Sequence, residues 1–164
     1  MEKQFFIDER NAGAYVPLIG RFIRDTVASS GQEGVVLGMS GGIDSAVAAR
    51  LCQAAGVDAR LYILPDGDSA SQRSAVSDAM CFINKFGFDY ENIDIKPICG
   101  AVESALRGVE GLSRVNIRPR VRMTVLYAAA QKLGRLVIGT GNLAERLTGY
   151  FTKWDPFFRA FTRP

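Results

Sequence analysis

Residues Gly38-Met39-Ser40-Gly41-Gly42-Ile43-Asp44-Ser45 gather chemistry-bearing types more densely than any other stretch of the chain. Adjacent glycines let the backbone turn sharply. Ser40, Asp44 and Ser45 stand beside them. A helix starting at Ser45 would aim loop N–H groups and the positive end of its dipole at one point, which suits a phosphate. No lysine follows the glycines, so this is not a Walker A loop. Asp44 would repel a phosphate unless a cation such as Mg²⁺ lay between them. The structural alternative is a tight turn with Asp44 as the helix cap.

A second segment, Gly139-Thr140-Gly141-Asn142-Leu143-Ala144-Glu145, also follows an apolar run. It fits the dinucleotide fingerprint G-x-G-x-x-A. That fingerprint wants a further strand ending in an acidic residue roughly 20 positions on. Here the chain runs instead into Phe157-Phe158-Arg159-Ala160-Phe161-Thr162-Arg163-Pro164. Asn142-x-x-Glu145 has the form of a capping box, so Glu145 has a purely local alternative role. Arg118, Arg120 and Arg122 suit carboxylate or phosphate, or form a solvated basic face. Lys153 is a mobile point charge or a surface residue. Tyr150, Phe151 and Trp154 are core or could stack a ring.

The elements that must position these residues alternate. Asn11 to Ser30 reads as a helix that could begin near Pro17, with Leu18, Ile19, Phe22, Ile23 and Val27 on one face. Val35 to Met39 reads as a buried strand, then a helix from Ser45 to Ala55 that stops at Gly56. Ala59 to Leu64 is a second strand, ended by Pro65, with a loop to Ser69. A helix carrying Val76, Met80, Ile83 and Phe86 on its apolar stripe follows. Tyr90 to Ile95 is a poorer strand, ended by Pro97. Ala101 to Arg107 and Val121 to Leu133 read as helices, and Arg135 to Ile138 as a fourth strand.

This alternation predicts an α/β fold: a doubly wound, mostly parallel sheet flanked by helices. Ligands bind such sheets beyond the carboxyl ends of the strands, where the strand order reverses. With the first and fourth strands adjacent, the loops after Met39 and Ile138 would share one crevice.

Composition narrows the classes. The 164 residues suit one domain with a substantial core, 48% hydrophobic and 23% charged. The net charge of +3 is scattered, so no nucleic-acid partner is expected. The N-terminus lacks a signal peptide's apolar core, and no uncharged apolar run is long enough to span a bilayer, so no membrane partner is expected either. Cys52, Cys81 and Cys99 lie apart without metal-ligand spacing and are expected to be reduced, which reads as cytoplasmic. With no histidine in the chain, a Ser-His-Asp or Cys-His site is excluded. Attack by a carboxylate of the substrate, already ionised, needs no such base.

The Ser40-Gly41-Gly42-Ile43-Asp44-Ser45 run resembles the Ser-Gly-Gly-x-Asp-Ser loop of the PP-loop ATP pyrophosphatases, which have an adenine nucleotide alpha hydrolase-like, Rossmann-like fold. Further motifs follow: Asn116-Ile117-Arg118-Pro119-Arg120-Val121-Arg122-Met123, then Gly139-Thr140-Gly141-Asn142 with Glu145, then Gly149-Tyr150-Phe151-Thr152-Lys153. In that order and spacing they are similar to ammonia-dependent NAD synthetase. The resemblance implies ATP-dependent amidation of deamido-NAD by ammonia, through an acyl-adenylate, giving NAD, AMP and pyrophosphate. It implies that Gly38, Met39, Ser40, Gly41, Gly42, Ile43, Asp44 and Ser45 hold ATP and that Thr140 contacts it. Asp44 and Glu145 match Mg²⁺ ligands and the catalytic pair, and Arg120 and Lys153 match residues that hold deamido-NAD. It also implies a homodimer.

After Trp154 the resemblance stops. The expected organisation is therefore an ATP pyrophosphatase domain over 1–154, incomplete at its C-terminal side, and an atypical tail over 155–164. A shortened or frame-shifted product with impaired activity is expected. Two other readings stay open: another PP-loop enzyme, such as a tRNA-modifying one, or a non-catalytic nucleotide-binding fragment.

Overall fold

The computed structural model describes residues 12–149 together with Thr152. Its elements run α1 (Ala12–Ser30), β1 (Gly34–Gly38), α2 (Ile43–Ala54), β2 (Ala59–Ile63), α3 (Ala70–Phe86), β3 (Tyr90–Asn92), α4 (Lys96–Ala105), α5 (Gly111–Val115), α6 (Ile117–Leu133), β4 (Arg135–Ile138) and α7 (Leu143–Thr148). The four strands pair in the order β3-β2-β1-β4, and every described pairing is parallel. The expected α/β fold is the one observed.

The apolar strands are explained by burial on both faces. Side chains alternate along a strand, so Val35 and Leu37 face one way and Val36 the other. The first set joins Leu61, Ile63, Leu136 and Ile138 under α1, α2 and α3, through Ile23, Cys52 and Ile83 among others. The second joins Tyr62, Leu64 and Val137 under α4 and α6, through Cys99, Val121 and Leu126. A continuous β-branched run is what such a strand requires. The chain places α2 and α3 on one face while moving from β1 out to β3. It then returns across the other face to β4, on the far side of β1. The order reverses between β1 and β4, which are in register at Leu37 and Ile138.

Several expected boundaries move. Helix α1 does not start at Pro17 but runs through it. Its buried residues are Gly20, Ile23 and Val27, whereas Leu18 and Phe22 are 61% and 56% exposed. The reason is a close approach: a Cβ on Gly20 would stand 3.6 Å from Ala55 Cβ, and Arg24 Nη1 donates to the Ala55 carbonyl at 3.2 Å. Positions two residues from Gly20 lie about 200° around the helix and point away.

Strand β3 is only three residues long and exposed at the sheet edge. Pro97 does not merely end it. It sits in the first turn of α4, where its missing N–H costs little. Helix α6 begins four residues before Val121, with Pro119 in its own first turn. It ends at Gly134, whose φ of 60° lets the chain turn directly into β4. The short α5 was not expected; none of its residues is buried, so it carries no apolar stripe to read.

Candidate active site

The loop leaving β1 is held in shape by its two serines. Ser45 is 1% exposed, the one buried polar residue among those described. Its hydroxyl donates to the Gly42 carbonyl at 2.9 Å and accepts from the Ser40 amide at 3.3 Å. Its single proton being committed, the 3.1 Å contact between the two hydroxyls has Ser40 as donor. Ser40 Oγ in turn accepts from the Gly42 amide at 3.2 Å. Gly41 has φ +81°, and a Cβ there would lie 2.4 Å from the Ala75 carbonyl oxygen of α3. Both the backbone angle and the closeness of α3 therefore exclude any side chain at this position.

Gly42, not Asp44, is the N-cap of α2, and it makes no side-chain capping bond. The alternative in which Asp44 caps the helix is thus not what forms. Asp44 lies in the first turn, exposed, beside N–H groups that have no intrahelical partner.

The loop leaving β4 carries Gly139, Thr140 and Gly141 into Asn142, the N-cap of α7. The capping box expected as the local role of Glu145 is present. Asn142 Oδ1 accepts from the Glu145 amide at 2.9 Å, and Glu145 Oε2 accepts from the Asn142 amide at 3.0 Å. Asn142 Nδ2 also donates to Asp44 Oδ2 at 3.4 Å, across 98 residues of sequence. Adjacent strands β1 and β4 make that meeting possible, and both turns open on the carboxyl side of the sheet.

This donor set suits a hard divalent cation. Mg²⁺ prefers oxygen ligands and is commonly held by one or two carboxylates completed by substrate phosphates. A carboxylate has about four acceptor positions, so the capping bond leaves Glu145 able to ligate. No cluster of three or more His, Cys, Asp or Glu forms among the described residues. Phosphate oxygens and water would have to complete the shell.

Beside the glycine-serine loop lies a pocket of about 300 Å³. Its walls are mainly apolar: Met39, Tyr62, Ile63, Val76 and Leu126. Arg122 closes one side and donates through Nε to the Leu64 carbonyl at 3.0 Å. Burial, and then the charge of Glu91, raise the Tyr62 phenol, so it stays neutral near pH 7. A mainly apolar pocket of this volume with a few fixed polar groups fits a heteroaromatic ring.

The three arginines separate. Arg118 forms an ion pair with Asp66, whose side chain is nearly buried. Arg118 and Arg122, four residues apart, share the face of α6 turned to the pocket. They are not the solvated basic face offered as their alternative. Arg120 lies about half a turn away and is exposed. It shares a face with Asn116, whose Oδ1 accepts from Thr152 Oγ1 at 2.8 Å. Arg120 therefore belongs to a separate flank, the one to which the Gly149–Lys153 motif returns at Thr152. Lys153, Tyr150, Phe151 and Trp154 lie outside the described residues.

The pocket's second wall escaped the sequence reading. Tyr62 and Gln72 read in sequence only as strand and helix residues. For Tyr62 the available signal was positional: it stands near the carboxyl end of a strand next to the reversal.

A four-stranded parallel sheet flanked by helices, its order reversing beside a glycine-serine turn and an apolar pocket, defines the Rossmann-like class of α/β folds. Comparison with known proteins narrows this. The NAD synthase family model matches residues 15–157, and the chain belongs to that family. The NH(3)-dependent NAD(+) synthetase of Thermococcus kodakarensis is 44% identical over 145 residues, 86% of this chain and 55% of that protein. The solved NH3-dependent NAD synthetase of Campylobacter jejuni superposes with a TM-score of 0.83 at 32% identity, over 88% of this chain and 62% of that one. NMN synthetase of Francisella tularensis gives 0.80 at 35%, over 88% and 60%. The chain spans about half the length of the curated relatives it matches.

Proposed function

We propose that this chain carries the ATP-handling half of an ammonia-dependent NAD synthetase. In the proposed reaction a nicotinate carboxylate, that of deamido-NAD, attacks the α-phosphate of ATP. Pyrophosphate leaves and an acyl-adenylate forms. Ammonia then displaces AMP and gives the amide, NAD. The single observation carrying this reading is the Asn142–Asp44 contact, which brings the two loops of the resemblance to one place.

In the proposed site the pocket lined by Met39, Tyr62 and Leu126 takes the adenine ring. Gly38 to Ser45 present backbone N–H groups to the triphosphate, and Thr140 reaches it from the neighbouring loop. Donors fixed in advance spend no energy reorganising as charge develops. The Ser40–Ser45 hydroxyls supply that rigidity. Asp44 and Glu145 would hold Mg²⁺, which when bound offsets charge on the departing pyrophosphate. Arg120 and Lys153 would hold deamido-NAD on the other flank of α6. Homodimerisation and a cytoplasmic setting belong to the same proposal; free Cys52, Cys81 and Cys99 support the latter. No helix among the described residues is long and apolar enough to cross a membrane.

The test is formation of AMP and NAD by the purified chain with MgATP, ammonia and deamido-NAD. Asp44→Ala and Glu145→Ala are assayed beside it, and the mononucleotide acceptor is a parallel arm because one similar structure is named NMN synthetase. Acceptor-dependent AMP release that falls on the order of 100-fold in either variant is expected, the scale of losing one preorganised charge stabiliser. Equal rates in all three proteins would overturn the metal assignment. ATP binding without AMP would favour the non-catalytic reading.

A further inference from the structure

Asn142 commits three polar groups to the two residues of the proposed metal site, two of them to the carboxylates and one to the Glu145 backbone. Its amide nitrogen Nδ2 donates to Asp44 Oδ2 at 3.4 Å. Its Oδ1 accepts from the Glu145 backbone amide at 2.9 Å, and its own backbone N–H donates to Glu145 Oε2 at 3.0 Å. Asp44 is exposed in the first turn of α2, and without an anchor its side chain would be free to rotate. Like charges gathered by two separate loops also repel when no cation is present. A neutral amide that donates to one carboxylate and fixes the backbone of the other counters both tendencies.

We infer that Asn142 is a positioning residue that clasps the β1 and β4 loops together and presets the Asp44–Glu145 pair for a divalent cation. This rests on the reading of those two carboxylates as metal ligands. The side chain has two separable functions. Capping of α7 needs only an acceptor, which serine also provides. Reaching Asp44 needs the amide donor and its length, which serine lacks.

That separation supplies the test. Mn²⁺ binding to the full chain, with and without ATP, is followed by electron paramagnetic resonance in wild type, Asn142→Ser, Asn142→Ala and Asn142→Asp. Asp44→Ala and Glu145→Ala serve as references, and circular dichroism checks each fold. Loss of the clasp is expected to weaken Mn²⁺ binding about tenfold in Asn142→Ser and Asn142→Ala alike, a loss of about 1.4 kcal/mol. Asn142→Asp should move in the other direction in the absence of ATP, because a third carboxylate adds a ligand. Wild-type affinity in Asn142→Ser together with weakened binding in Asp44→Ala would overturn the clasp and leave the metal reading standing. Wild-type affinity in Asp44→Ala and Glu145→Ala would overturn the metal reading itself.

Discussion

Gly41 shows how little freedom the phosphate-type loop has. Its left-handed backbone costs an alanine about 1–2 kcal/mol before any contact is counted. The contact is severe as well, since the added Cβ would sit 2.4 Å from a backbone oxygen of α3. Gly41→Ala should therefore push the loop off α3 and misalign its N–H groups. We expect a loss of at least 1–2 kcal/mol in urea unfolding and at least tenfold weaker binding of a fluorescent ATP analogue. Unchanged affinity would mean that the loop tolerates displacement. The glycines, the serines and Asp44 were legible because turn chemistry is local, set by which residues can adopt a given φ and which can bond their neighbours. The division of labour among them was not. Ser45 reads in sequence as a candidate ligand, yet its hydroxyl is committed to Gly42 and Ser40, a fact of three-dimensional burial.

At the scale of elements, α6 and the loop after β2 are joined by Arg118 and Asp66. The two partners are not equally wet: the Asp66 side chain is 9% exposed and that of Arg118 33%. Removing the arginine strands a carboxylate in a nearly dry site, whereas removing the aspartate leaves a guanidinium that reaches water. Arg118→Ala should thus cost more than Asp66→Asn, on the order of 1–3 kcal/mol. The figure stays below that of a fully buried pair because water reaches the arginine. A double-mutant cycle by denaturant unfolding measures both, and equal costs would contradict the burial asymmetry. Sequence could not have supplied this pair, since 52 residues separate its members. It did supply β1, β2 and β4, whose two-sided burial leaves an unbroken apolar run. It failed for Leu18 and Phe22, because the docking face of α1 is set by small residues, Gly20 against Ala55, which carry no hydropathy signal.

Across the whole molecule, the sheet separates two cores and each encloses a thiol. Cys52, on the sheet-facing side of α2, is 0% exposed, and burial pushes its thiol from an ordinary 9.0 up to about 12. Cys99 lies on the other face, raised for the same reason. Cys81, on α3, is exposed. In the native state one thiol should therefore react quickly with a disulfide reagent at pH 8. The other two should wait for opening of their respective cores, since the thiolate is the nucleophile and neither solvent nor reagent reaches it. The raised value also fixes the sign of a pH effect. The folded chain keeps the Cys52 proton that the unfolded chain gives up, so this contribution is intact below pH 9 and lost as pH rises toward 12. Its limiting slope is about 1.4 kcal/mol per pH unit. Cys52→Ala removes that dependence at the cost of a small cavity. The gap in unfolding free energy between wild type and Cys52→Ala should accordingly narrow as pH increases from 9. Parallel curves would mean that the thiol meets water in the folded state, and that the core between α2 and the sheet opens more readily than its burial implies.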